Sequence, residues 1–478
     1  MSLRNEGTSA IAWSLTEKFL KRGVQFILSI FLARLLTPSD FGVVAMATIF
    51  VSWAEVFKDF GMGQAIIQKK DVTEAQVSTV FWINLMMGIL IAIIFVLIAP
   101  WAARFYENDM VAWVVRVAGL TFILTSLNVV QSSLFVKALN YKVGTIASLL
   151  ASTLSGMLGI LMAYIGFGIW SLLAQSVMST VITTAYLWLK SKWRPKRVFN
   201  FKETQPLFAK GVGFMGQGLI SEVSASIDSM VIGKMYSPAS LGLFSRGKSF
   251  ASMLETTLFA PISRPLFPIF AKINGDTPRM NSSYLKIMRM LTWTASLICG
   301  LFIIMSYEII YILYGTQWID AAQYLLFFSI IIPFNAINSC INSIWKGMGE
   351  TKLLVKVSLI TRIIYLLSLV GLFFGIRSYA IMNVITVLIN IIIKTLYHKH
   401  LTGVGLCEQY KELFMESAII AIVFILFLFM KIDSVYISAL IKTTVFIVIY
   451  LLGSVLLKIE GMKVLLRELK ANLVMPKK

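Results

Sequence analysis

The sequence predicts an all-α, polytopic membrane protein of about 14 transmembrane helices, arranged as two six-helix lobes related by an internal repeat plus two C-terminal helices. The composition is 58% hydrophobic and 14% charged with a mean hydropathy of +0.81, far from a soluble average. Apolar stretches of the roughly 20 residues needed to cross a bilayer recur along the whole chain. A stretch near the N-terminus also returns about 200 residues later.

Fourteen spans are expected near 8–33, 41–60, 79–100, 111–135, 144–166, 168–189, 208–233, 240–262, 286–313, 321–345, 354–375, 377–397, 412–430 and 434–457. The start, "MSLRNEGTSAIAWS", lacks the short apolar core and cleavage site of a secretory signal, so the first span is expected to stay as an anchor. An even count puts both termini on one side. Of the 43 Lys and Arg residues most fall in the tails and even-side loops, whereas the opposite loops hold Arg34, Arg104, Arg377, Lys431 and Lys234. The basic runs "KSKWRPKR", "KINGDTPRMNSSYLKIMR" and the C-terminal tail therefore face the cytoplasm. This accounts for the net charge of +20 through anionic lipid rather than nucleic acid. The tail reads as an amphipathic helix on the membrane.

The repeat has two offsets. Ile27, Ser29, Pro38, Gly42, Phe50, Ser52 and Glu55 recur as Ile227, Ser229, Pro238, Gly242, Phe250, Ser252 and Glu255. Phe167, Gly168, Ile169 and Ser171 recur as Phe374, Gly375, Ile376 and Ser378. Each repeat holds an even number of spans, so the lobes have parallel topology about an axis along the membrane normal, with a cleft between them. The expected division is 1–200, 201–402, and 403–478 for the last two helices and basic tail.

"GLFSRGKS" at 242–249 spells a phosphate-binding loop, G-x-x-x-x-G-K-[ST]. That loop works only where a buried strand ends in the glycine turn and a helix follows. No strand precedes it, the apolar pattern continues through it, and Ala47 and Thr48 stand where the first repeat would need Gly and Lys. It is expected to be helix. The three cysteines, Cys299, Cys340 and Cys407, have no metal spacing, and His398 and His400 are placed in a basic loop. No cofactor, metal site or catalytic residue is expected.

Charges inside the spans are the candidate functional groups, because each costs about 3 kcal/mol or more at mid-bilayer. Span one carries Lys18, Lys21, Arg22 and Gln25 on one helical stripe; span two carries Glu55, Lys58 and Asp59; span seven carries Asp228; span eight carries Arg246, Lys248 and Glu255. Glu17 with Lys21, or Glu55 with Lys58, could instead be interior pairs that fix packing. Arg116, Arg362 and Lys442 read as lone cations that either join the cleft or snorkel to an interface. The sum is a modestly cationic cleft, suited to an anionic headgroup such as a phosphate or diphosphate. Glu55, Asp59, Asp228 and Glu255 are candidates for gating or ion coupling. Sheltering of an acyl chain by the last two spans is a conjecture from their presence alone.

"WSLTEKFLKRGVQFILSIFLARLLTPSDFGVVAMATIF", "FKDFGMGQAIIQKKDVTEAQVSTVFWIN", "DSMVIGKMYSPASLGLFSRGKSF" and "RPLFPIFAKI" resemble the Wzx-type polysaccharide and lipopolysaccharide biosynthesis flippases of the multidrug/oligosaccharidyl-lipid/polysaccharide exporter superfamily. The likeness covers nearly the whole chain and is strongest over 12–85 and 205–275. It implies twelve helices plus two that rock between inward and outward faces in a bacterial inner membrane. It also implies an undecaprenyl diphosphate-linked oligosaccharide as substrate, carried from the cytoplasmic to the periplasmic leaflet. Basic residues on the first, second and eighth helices of related flippases hold the diphosphate, and Lys21, Arg22, Lys58, Arg246 and Lys248 occupy comparable helices; Lys18 beside Glu17 departs from that pattern. The implied partners are the lipid-linked oligosaccharide, membrane lipids and a polysaccharide polymerase complex, with no nucleic acid and no oligomer required. Two alternatives stay open. A cation-coupled multidrug antiporter calls for a cavity rich in Asp and Glu. A membrane glycosyltransferase or polymerase calls for acidic residues on a sizeable outer loop, and the outer loops here are short.

Overall fold

The computed structural model describes residues 20–57, 62–69, 71–200, 204, 222–254, 260–430 and 432–474. The described residues are helical with no strand. In chain order the α-helices are α1 (20–35), α2 (Pro38–Glu55), α3 (Met62–Gln68), α4 (Glu74–Tyr106), α5 (Asp109–Ser126), α6 (Val129–Lys137), α7 (Tyr141–Tyr164), α8 (Ile169–Lys190), α9 (222–235) and α10 (Pro238–Leu254). They continue with α11 (Ala260–Lys272), α12 (Thr277–Ile304), α13 (Ser306–Tyr314), α14 (Ala321–Ile330), α15 (Ile332–Gly347), α16 (Thr351–Leu367), α17 (Ile376–Thr402), α18 (Leu406–Leu428), α19 (Val435–Leu456) and α20 (Glu460–Val474). Among the described residues nine helical spans are long and apolar enough to cross a membrane. The all-helical, multi-pass architecture expected from the sequence is the one observed.

Two compact units divide the chain at Met1–Gly242 and Leu243–Lys478. In unit 1, α2 packs on α5, α4 runs against α5, and α7 pairs with α8. In unit 2, α12 is the central element, touching α14, α15, α18, α19 and α20. The core of that unit is built around Trp293, Val423, Phe446 and Tyr450.

Spans four and ten, expected to be continuous, are each broken at an identifiable group. Span four splits into α5 and α6 because the Leu127 carbonyl leaves the helical ladder and accepts the Trp188 indole N–H at 2.9 Å. Span ten splits into α14 and α15 at Ile331; Pro333 has no N–H to donate and its ring opposes the carbonyl four residues back. His398, expected in a basic loop, lies on α17 and is fully buried, its Nδ1 accepting the Trp345 indole N–H. The helix runs on until Gly403, which takes the left-handed conformation with φ +79°. The C-terminal segment forms α20 as expected, but its first turn is docked on protein: the Glu412 carboxylate accepts the N–H groups of Glu460 and Gly461, and α20 packs on α12.

The repeat is visible in the turns. Thr37 caps α2 through a reciprocal pair of hydrogen bonds with Asp40, and Ser237 caps α10 by accepting the Ser240 N–H at 3.2 Å. Pro stands at the first position of both helices. A Cβ on Gly42 would lie 1.7 Å from the Pro238 carbonyl oxygen, and one on Gly242 would lie 2.0 Å from the Pro38 carbonyl oxygen. The two helix starts thus meet reciprocally within unit 1, at a distance only glycine permits. The second repeat places Gly168 and Gly375 at positive φ, +53° and +118°, at the starts of α8 and α17.

Candidate functional site

The phosphate-loop spelling has a packing explanation. Residues 242–249 lie inside α10, so their N–H groups belong to a helix and cannot converge on a phosphate. Gly242 is needed at the Pro38 contact, and a Cβ on Gly247 would lie 2.7 Å from the Ala321 carbonyl oxygen.

The charged candidates fall in both units, and each unit is described by itself. In unit 1, Lys21 and Arg22 are half-buried on α1 and Gln25 is exposed one turn on. Arg116 on α5 sits with its guanidinium 5.0 Å from the Trp113 ring centre. Glu55 is exposed at the end of α2, whereas Asp228 on α9 is fully buried, its Oδ1 accepting the Ser229 N–H at 2.7 Å. Lys18, Lys58, Asp59 and Glu255 lie outside the described residues. Unit 1 also holds an apolar recess of about 330 Å³ between α2, α4 and α5, lined by Phe50, Trp53, Met87, Leu90, Ile94 and Phe95.

In unit 2, Arg246 is half-buried against two aromatic rings, 5.6 Å from the Tyr314 ring centre and 5.9 Å from that of Trp318. Both rings lie within cation–π reach of the guanidinium. Such a group is held in place before any anion arrives. Lys248, two positions on, lies 5.7 Å from the Phe244 ring centre on the same helix. Arg362 is half-buried on α16.

Lys442, read from sequence as a lone cation, is paired. It forms an ion pair with Glu308, which also accepts the Ser438 hydroxyl hydrogen at 2.7 Å. Glu308 is buried on α13 and the two others lie on α19, so the pair ties α19 to α13 within unit 2. Sequence reasoning missed Glu308, because its partner is 134 residues away.

It also missed a polar cluster at α15 and α17. The buried Lys394 ammonium donates to Asn338 Oδ1 at 2.6 Å and to Asn342 Oδ1 at 3.2 Å. The legible signal was the triplet Asn335, Asn338, Asn342, which lies along one face of an otherwise apolar helix.

The chain matches the polysaccharide biosynthesis protein family over residues 31–323. It belongs to that family. Among relatives of the family, it is 27% identical over 313 residues to the succinoglycan biosynthesis transport protein ExoT of Rhizobium meliloti, covering 65% of this chain and 63% of that protein's length. It is 24% identical to the teichuronic acid biosynthesis protein TuaB of Bacillus subtilis, covering 69% of each chain. It is 20% identical to the lipopolysaccharide biosynthesis protein WzxC of Escherichia coli, covering 77% of this chain and 76% of the other. Among solved structures, its fold is similar to that of the lipid II flippase MurJ in an inward closed conformation, with a TM-score of 0.74, 14% identity, and coverage of 94% of this chain and 98% of that one. An inward-facing multidrug resistance transporter of the same superfamily matches with a TM-score of 0.61 and 13% identity, covering 80% of this chain and 98% of the other. The family chain thus has the fold of the multidrug/oligosaccharidyl-lipid/polysaccharide exporters.

Proposed function

We propose that this protein is a flippase that moves an undecaprenyl diphosphate-linked oligosaccharide from the cytoplasmic to the periplasmic leaflet of a bacterial inner membrane, with both termini cytoplasmic. The observation that carries the reading is the family match over residues 31–323 on a chain with the fold of a lipid-headgroup flippase. No covalent step is required of it. The protein lowers the cost of taking a charged, hydrated head through hydrocarbon, and that cost is electrostatic. Lys21, Arg22, Arg246 and Lys248 would supply donors for the diphosphate, with Gln25, Arg116 and Arg362 in support. The cation–π contacts of Arg246 with Tyr314 and Trp318 favour that role, because a guanidinium already held in place loses little side-chain freedom on binding a phosphate.

Lys18 and Lys58 belong to the same proposed set, and Glu55, Asp59, Asp228 and Glu255 to its gating or ion coupling. Rocking of residues 1–200 against 201–402 would expose the groups to each leaflet in turn, with 403–478 as an addition to the second lobe. The lipid tail would stay in the bilayer, and the apolar recess beside α2 and α4 suits one chain of it. A polysaccharide polymerase is the partner such a product calls for.

Depletion followed by leaflet assignment of the labelled lipid-linked repeat unit tests the reading. Accumulation on the cytoplasmic side is expected; unaltered glycan together with altered dye efflux would replace it with drug export, the reading favoured by the second structural likeness. Arg246→Ala and Lys248→Ala are each expected to slow translocation about tenfold, the effect of losing one charge-assisted contact. Arg246→Lys should rescue little, because an ammonium lacks the planar fork of donors that a guanidinium offers a phosphate. Full activity in both alanine variants would discard the anion site.

A further inference from the structure

Between α15 and α17 of unit 2, a cavity of about 120 Å³ opens beside Lys394, whose ammonium donates to Asn338 and Asn342.

The lining of that cavity is polar on one side: Asn335, Asn338, Thr361, Asn390 and Lys394. Lys394 is only 8% exposed, yet none of the ion pairs among the described residues includes it. Its partners are two carboxamide oxygens, which orient an ammonium without neutralising it. Asn390 donates to the Thr361 carbonyl, while its own Oδ1 is buried without a partner at the cavity wall. A buried cation ordinarily has a counter-charge, because the uncompensated cost is several kcal/mol.

We propose that the cavity beside Lys394 binds a small, singly charged anion, which supplies the missing counter-charge. The ammonium and the carboxamide N–H groups of Asn335 and Asn338 are donors of the right kind, and a water shared between the anion and Asn390 Oδ1 would satisfy that orphan acceptor. The volume admits a halide or a carboxylate with a water or two, and it is too small for a whole sugar ring. Two sources share this chemistry: free chloride, and the carboxylate of an acidic sugar on the cargo. The site lies within unit 2 and does not depend on the diphosphate reading, so either can fail alone.

The test uses the purified full-length protein, melted with chloride or bromide against the bulky sulfonate HEPES at constant ionic strength. A saturable rise of a few degrees with either halide is expected, absent with HEPES alone and absent in Lys394→Met. Bromide diffraction provides a readout independent of that variant's folding: an anomalous peak is expected within hydrogen-bonding reach of Lys394 Nζ. Competition of glucuronate against bromide assigns the site to cargo; indifference to glucuronate assigns it to free anion. Melting that is blind to halide, a shift that survives in Lys394→Met, or bromide density elsewhere with none at Lys394 would overturn the proposal.

Discussion

The two repeated turns show what duplication kept and what it changed. At Pro38–Gly42 and Pro238–Gly242 the proline, the capping hydroxyl residue and the close-approach glycine are all retained, and the two turns press on each other. Around them the charges have diverged at the same offset of 200. Arg246 stands where the first repeat has Met46, Lys248 where it has Thr48, and Asp228 where it has Leu28. Met46 and Leu28 are buried, so an apolar side chain serves that packing position in one copy. The fold is therefore carried by turn and contact geometry, and equivalent places hold an apolar or neutral side chain in one copy and a charge in the other. Charge at membrane depth is costly, which is why these groups enter the set proposed above.

Glu308 and Lys442 bound that contrast, because here a charge pair serves packing. Both are largely buried, and removing one partner strands the other in a low-dielectric site. Glu308→Gln or Lys442→Met alone is expected to cost about 3–5 kcal/mol. The double exchange should recover most of the loss, since a neutral pair leaves no stranded charge. Apparent melting temperatures of the three variants decide it. If the double exchange is no better than the single ones, the pair is more than a packing device.

Next in size is the glycine contact. Gly42→Ala places a methyl on a backbone carbonyl and is expected to cost about 1–3 kcal/mol, with Gly242→Ala close behind. Gly144→Ala is the control: nothing lies within 4 Å of its Cβ, and a helix gains up to about 1 kcal/mol from the exchange. A Gly42→Ala protein that melts like the wild type would show that the retained glycines do not set the contact, and the contrast between kept geometry and diverged charge would lose its first half.

What the sequence made legible divides along the same line. Span length, apolar composition and the Pro and Gly turns are local properties, and each reappears in the helices described. The breaks in spans four and ten were less visible. Pro333 was in plain view, but the Leu127 break depends on an indole 61 residues away. The candidate site was legible as residue types and not as partners. Lys442 looked lone because Glu308 is remote in sequence, and Lys394 was not singled out at all, because its burial by α15 is a tertiary fact. Arg246 was singled out for its charge, whereas the aromatic pair that fixes it comes from a segment more than 60 residues later.

The smallest expected effect tests whether charge at the rim matters as charge at depth does. Lys234, at the end of α9, forms an ion pair with Glu107 at 2.7 Å, and both lie within unit 1. The hydrogen bond and the field of Lys234 hold the Glu107 carboxyl below the usual glutamate value of 4.5. A carboxyl lowered on folding contributes stability that is fully present above its unfolded value and is lost as pH falls through its folded value. Both groups are exposed, so water and salt screen the pair, and Glu107→Gln should shift melting at neutral pH by no more than about a degree. Below the folded value the variant and the wild type should coincide. The pair closes the turn after α4 onto α9, so its loss is expected to show in the rate of transport near neutral pH before it shows in stability. An equal transport rate in the two proteins across pH 4–8 would make it a rim contact of no consequence to the cycle, and would confine functional charge to the membrane interior.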